Sequence, residues 1–226
     1  MEISNTCNLV LTTLFSYDFS ACAYNILKSI GWDISNINFN NKEERNIQIG
    51  LLQRDNPRLA TFLLSSITNL VNHYFTINDV KKDNLIIRAR DGFIINKKIK
   101  IIDDTMPIDL RSIISKMVIS TDRKKYLAIH NNGLVEVKGI KNKTIDVSFY
   151  NLFKNLEFST KRSLLLGLEK MRQTILNSDN ILWFTIKEGD NYNIPIIGSE
   201  VDKYFLWEEY IWPFARSILI HCNAKN

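Results

Sequence analysis

The sequence predicts an α+β fold: a small antiparallel sheet backed by helices, with a helical insertion and a helical C-terminal part. Three observations predict it. Two hairpins are written in the turn residues, Asp91-Gly92 between apolar runs at 85–87 and 93–95, and Asn131-Asn132-Gly133 between 125–129 and 134–137. Helical spacing of apolar residues dominates 43–75 and returns in the last third. No internal repeat and no low-complexity linker interrupts the chain.

In chain order, Leu9 to Phe15 reads as a buried strand running into Tyr17-Asp18-Phe19-Ser20. A helix is expected over 21–30, closed by Gly31. Residues 38–42 are a polar connection. The helical pattern of 43–75 is divided at Asn56-Pro57, because proline suits a first helical turn and breaks an interior. Its second piece places Leu59, Phe62, Leu63, Ser66, Leu70 and Tyr74 on one face. Residues 97–102 are expected to continue or pair with the first hairpin, 109–117 to form a helix, and 117–119 to open a strand. Helices are expected at 159–176 and 201–219, with a strand at 181–187 between them. The composition changes near Asp146, which sets the expected division: an α+β core over 1–145, its helical insertion at about 38–80, and a mostly helical region over 146–226.

Hydrophobic residues make up 45% of the 226 and aromatics 11%, enough apolar surface to build a core and to exclude a disordered chain. The N-terminus lacks the basic and apolar regions of a secretory signal, and no run approaches a membrane span. Cys7, Cys22 and Cys222 have neither CxxC spacing nor a histidine cluster to join, which argues against a disulfide framework or a structural zinc site. A soluble protein of the cytoplasm is the expectation, with no membrane partner. His73, His130 and His221 are dispersed and carry no assigned role. The dense aromatics Tyr204, Phe205, Trp207, Tyr210, Trp212 and Phe214 are read first as packing of the last helix, with a subunit interface next and base stacking as a further alternative.

The net charge of +5 is unevenly spread. Between Lys81 and Lys143 there are 15 Lys or Arg against 7 Asp or Glu, whereas the first 41 residues hold one Lys and three acids. Such a stretch suits a polyanion, although a solvated lysine face gives the same count. Asp18 at a strand end and Asp91 at a hairpin tip are hard oxygen donors of the kind that hold divalent cations for phosphoryl transfer. The residues alone leave a plainer account open: Asp18 or Ser20 as a helix cap, and Asp91 as a turn residue.

The segment Leu14-Phe15-Ser16-Tyr17-Asp18-Phe19-Ser20, followed by a helix, resembles the first carboxylate motif of DNA polymerases. Ile86 to Ile94, with Asp91-Gly92 at the tip, resembles the second. Asp122 to Ala128 and Val135 to Ile140 are similar to the family B stretch in which a Lys-Lys-(Arg)-Tyr run and a Lys-Gly pair approach the primer-template duplex. The resemblance covers roughly 9–143 and implies a palm-like sheet, a short fingers-like insertion and a thumb-like C-terminal region, in a minimal or split enzyme of viral or mobile-element type. It implies that Asp18 and Asp91 are catalytic, and that with the Phe19 carbonyl they hold two Mg²⁺, or Mn²⁺. It further implies that Tyr24, Arg45, Gln48 and Arg54, with Lys42 and Arg58 nearby, meet the nucleotide, and that Arg88, Arg90, Lys124, Lys125, Tyr126 and Lys138 meet nucleic acid. The partners implied are a DNA primer-template, a dNTP and a separate exonuclease or other polymerase subunit. The chain departs from the pattern at Ala89, where family B has a second Asp, at Gly92, where family A has a Glu, and at Ala23, the sugar-discriminating position. The thin acid count suggests the alternative of a catalytically inactive, polymerase-derived module that binds nucleic acid or a replisome partner. A third possibility is an unrelated interaction protein in which both aspartates are structural.

Overall fold

A computed structural model describes residues 2–3, 8–101, 108–120, 125–139, 152–157, 160–177, 182–188, 190–196 and 207–223. The fold is α+β, and the chain divides into two compact units. Unit 1 comprises Met1–Ser4 and Leu14–Ile113, and unit 2 comprises Asn5–Thr13 and Ile114–Asn226.

Unit 1 contains β1 (Glu2–Ile3), β3 (Leu14–Phe19), β4 (Leu85–Arg88), β5 (Gly92–Ile95) and the first half of β6 (Ile108–Ile119). Antiparallel pairs join β1 to β4, β4 to β5 and β5 to β3, and β3 lies between β5 and β6. The expected strand at 9–15 is two strands, β2 (Leu9–Val10) and β3. The helices are α1 (Cys22–Ser29), α2 (Lys42–Asp55) and α3 (Pro57–Ile77). Asn41 starts α2 by accepting from the amides of Glu43 and Glu44, whose charges also suit the positive end of the helix. Asn56 caps α3 through the Leu59 amide with Pro57 in the first turn, so the division at this dipeptide is as the sequence indicates.

Along α3 the buried residues are Leu59, Leu63, Ile67, Val71 and Tyr74. This corrects the expected face: Phe62 is 41% exposed, and the buried row follows steps of four and then three through Ile67 and Val71. The row packs in one core with Tyr17, Phe19, Ile26, Leu27, Phe93 and Ile95. Lys97 to Ile101 forms no strand, against expectation; it is held instead by the Ile99 amide donating to the Tyr17 hydroxyl (3.1 Å) and the Lys100 amide donating to Asn78 Oδ1 (2.7 Å).

A second correction concerns 109–117, which is strand, not helix. Isoleucine-rich and pairing with β2 and β7 (Tyr126–His130), this segment takes its state from partners distant in sequence, which override any local helical spacing. In unit 2, β7 and β8 (Val135–Lys138) form the expected hairpin around Gly133, whose φ of +79° is the left-handed turn glycine permits. Helix α4 (Lys161–Leu176) is capped by Thr160, and the expected strand is β9 (Leu182–Glu188) in a hairpin with β10 (Asp190–Ile196), which the sequence reading lacked. A π-helical turn at Trp207–Ile211 leads into α5 (Trp212–Asn223). Trp207 and Phe214 are core, Phe214 lying edge-on to Phe153 at 6.2 Å, as the packing account of the aromatics expects. Tyr204, Phe205 and the composition change near Asp146 lie outside the described residues, as does the Tyr210 side chain. Among the described residues no helix is long and apolar enough to cross a membrane.

A candidate carboxylate site at the end of strand β3

Backbone pairing brings Asp18 and Asp91 together. In the β3–β5 ladder Asp18 stands opposite Gly92, and one residue further on the Phe19 amide donates to the Asp91 carbonyl at 2.8 Å. The end of β3 is therefore fastened to the tip of the β4–β5 hairpin. Gly92 is required there by a close approach: a Cβ at this position would lie 2.8 Å from the Tyr17 carbonyl oxygen and 3.1 Å from Asp18 Oδ1.

The turn after β3 rules out capping by Asp18 or Ser20. Ala21 precedes α1 in the left-handed region, φ 48° and ψ 40°, and the helix has no side-chain cap. A non-glycine residue enters that region at a cost of roughly 1–2 kcal/mol. Asn25 secures the turn, its amide donating to the Ser20 carbonyl at 2.7 Å. The freed side chains go to β6 instead. Ser20 Oγ donates to Asp109 Oδ2, and Arg111 Nη2 lies 3.3 Å from Asp18 Oδ2, 3.4 Å from Ser20 Oγ and 4.0 Å from Asp109 Oδ2.

The charge of Asp91 is felt at Asp18. Burial pushes the Asp18 carboxyl above its usual range, the Asp91 charge pushes it further, and Arg111 and Lys42 partly offset both. Cys22, buried at the start of α1, is pushed up to about 12 by burial first, then by Asp91 and Asp18. Cys22 should therefore hold roughly a thousandfold less thiolate at pH 8 than an ordinary thiol. Iodoacetamide labelling of the folded protein, read by peptide mass spectrometry, should leave Cys22 unmodified; rapid labelling at pH 8 would contradict this environment.

Asp91 and Arg90 also line a cleft of about 300 Å³ with Ala23 of α1, Asn46, Ile49, Gly50 and Gln53 of α2, and Ile67 of α3. The expected nucleotide-contacting residues are employed elsewhere. Tyr24 packs on Phe39 at 4.9 Å, Arg45 donates to the Phe39 carbonyl and lies over its ring, Gln48 accepts from the Asn38 amide, and Arg54 pairs with Asp55. Lys42 lines a neighbouring hollow with Glu43, Asn46 and Ile47, and Arg58 is exposed on α3. The face of α2 turned to the cleft thus carries amides, Asn46 and Gln53 at a seven-residue spacing, which the sequence reading did not include.

Gly50 lies between these amides in mid-helix, and a Cβ there would meet nothing within 4 Å. Replacing it by Ala should stabilise the fold by about 0.5–1 kcal/mol, since nothing opposes the gain in helix propensity. A melting temperature that falls would show the open wall of the cleft to be misjudged.

The expected nucleic-acid contacts fall in both units. Arg90 is exposed at the cleft, while Arg88 is half-buried, donating to Asn72 Oδ1 and lying over the Phe75 ring at 5.8 Å. In unit 2, Lys125 is half-buried, Lys138 pairs with Glu136 at 2.9 Å, and Tyr126 is buried. Lys124 lies outside the described residues.

For a hard divalent cation the donor chemistry fits. Asp18 and Asp91 are hard oxygen donors carried at one strand end, beside a glycine that keeps the approach to Asp18 Oδ1 open. Among the described residues no group of three His, Cys, Asp or Glu side chains gathers as a metal cage. A scan against models of known protein families gives no match, and a search of the curated proteins gives none either.

Proposed function

We propose that unit 1 is the palm-like core of a template-directed DNA polymerase, transferring deoxynucleotides to a primer end at Asp18 and Asp91. The observation that supports this reading is the register that sets Asp18 opposite Gly92 and ties Phe19 to Asp91, because it brings to one strand end the two residues whose carboxylates the chemistry needs, from positions 73 residues apart. Asp18 and Asp91, with the Phe19 carbonyl, would hold Mg²⁺ or Mn²⁺, which supplies Lewis-acid activation of a hydroxyl and neutralises triphosphate charge. The cleft beside Asp91 takes the nucleotide. Arg90 meets its phosphates, and the amides of Asn46 and Gln53 present neutral hydrogen-bonding groups along α2. A primer-template and a dNTP are the partners, and proofreading belongs to a separate exonuclease or another polymerase subunit.

Primer extension on a DNA template with Mg²⁺ or Mn²⁺ tests the reading: the chain should add nucleotides encoded by the template. The second reading, a catalytically inactive polymerase-derived module that binds nucleic acid, is favoured by the Arg111 guanidinium already set against Asp18. Duplex binding that weakens with salt, without extension under either cation, would select it.

A further inference from the structure

Arg111 is shared between two carboxylates that are not equivalent. Its Nη2 is 3.3 Å from Asp18 Oδ2 and 4.0 Å from Asp109 Oδ2, and the Ser20 hydroxyl links the second pair by accepting from Arg111 and donating to Asp109. All three charged side chains are partly exposed, Arg111 at 50%, Asp18 at 38% and Asp109 at 50%, so none is held in place by burial. The other oxygen of Asp18, Oδ1, stands over Gly92 on the side of the hairpin tip. A divalent cation shared by Asp18 and Asp91 would bring two positive charges beside a guanidinium that already neutralises Asp18. Asp109 offers that guanidinium an alternative a short side-chain movement away.

We infer that Arg111 competes with the divalent cation for Asp18, and that Asp109 and Ser20 form the second seat to which its guanidinium moves when the cation binds. This rests on the reading of Asp18 as a cation ligand. The arrangement sets the affinity of the site: Arg111 lowers it by occupying Asp18, and Asp109 raises it by taking Arg111 away. A merely electrostatic arginine would give only the first effect, and an Asp109 that touched the cation itself would give the second without needing Arg111.

A Mn²⁺ titration of the full chain, with free Mn²⁺ read by electron paramagnetic resonance, separates these cases through a double-mutant cycle. Arg111→Gln should bind Mn²⁺ about two- to fivefold more tightly than the wild type, the range expected for releasing a half-exposed ion pair. Asp109→Asn should bind more weakly than the wild type, and that weakening should vanish when Arg111→Gln is also present. Arg111→Lys, which keeps the charge without the planar fork that reaches both seats, is the second variant and should not gain the affinity of Arg111→Gln. Unchanged or weaker binding in Arg111→Gln overturns the competition, and an Asp109→Asn defect that persists in the double variant overturns the second seat. If wild type and Asp18→Asn take up Mn²⁺ alike, the cation reading of Asp18 falls and carries this inference with it. An Arg111→Gln result in the wrong direction leaves that reading standing.

Discussion

Under the proposed reading, Asp18→Asn and Asp91→Asn are each expected to lower the rate of primer extension by at least about a thousandfold, ~4 kcal/mol of barrier, and Asp18→Asn is expected to melt as the wild type does. The size would follow from the proposed role, since Asn keeps the shape but removes the charge that would hold a divalent cation. The unchanged stability follows from the environment of Asp18. Burial and the Asp91 charge raise its pKa, so the ionised carboxylate is less favoured in the folded chain than in the unfolded one. With a raised folded pKa, the ionised form of this acid costs stability relative to its protonated form at pH 7, so the neutral amide is expected to leave the melting temperature equal or slightly higher. Asp109→Asn is the control within the cluster: its partners are Ser20 and Arg111, and its loss of rate should be much smaller. Extension that survives Asp18→Asn or Asp91→Asn at wild-type rate would end the polymerase reading.

Much of this site was legible in the sequence because it is built from local signals. A strand ending in Tyr17-Asp18-Phe19 and an Asp-Gly hairpin tip are short-range patterns, and so is the Asn56-Pro57 boundary that separates α2 from α3. What stayed hidden depends on partners far along the chain. Asp109 and Arg111 sit on a segment whose spacing suggested a helix, so no reading of that segment could set them beside β3; pairing decides the state of β6. The left-handed turn at Ala21 is equally illegible, since alanine advertises no such conformation, and it is this turn that denies Asp18 and Ser20 a capping role. On α2 charge and polarity single out Lys42, Arg45, Gln48 and Arg54, yet which helix face meets the cleft is set by how Ile49 packs into the core, and that face carries Asn46, Gly50 and Gln53.

Gly92→Ala should damage both fold and function, and its contrast with Gly50→Ala makes the argument sharp. The same added methyl group meets open space in α2 but lies 2.8 Å from a backbone carbonyl at the end of β3. The Tyr17 oxygen belongs to the strand paired through Tyr17–Phe93 and Asp18–Gly92, so it cannot yield without loosening that ladder. Overpacking of this kind costs about 1–3 kcal/mol, and for a chain of this length each kcal/mol lowers the melting temperature by about 2–4 °C. The second contact falls on Asp18 Oδ1 at 3.1 Å, the oxygen left free by the Arg111 pair, so the methyl group crowds the carboxylate from the side on which a cation must arrive. Gly92→Ala is therefore expected to lose Mn²⁺ affinity as well as stability, whereas Gly50→Ala gains stability and keeps it. Thermal melts and Mn²⁺ titrations of the two variants measure both effects, and a Gly92→Ala protein as stable and as cation-competent as the wild type would show that the hairpin tip does not approach β3 as closely as the site requires.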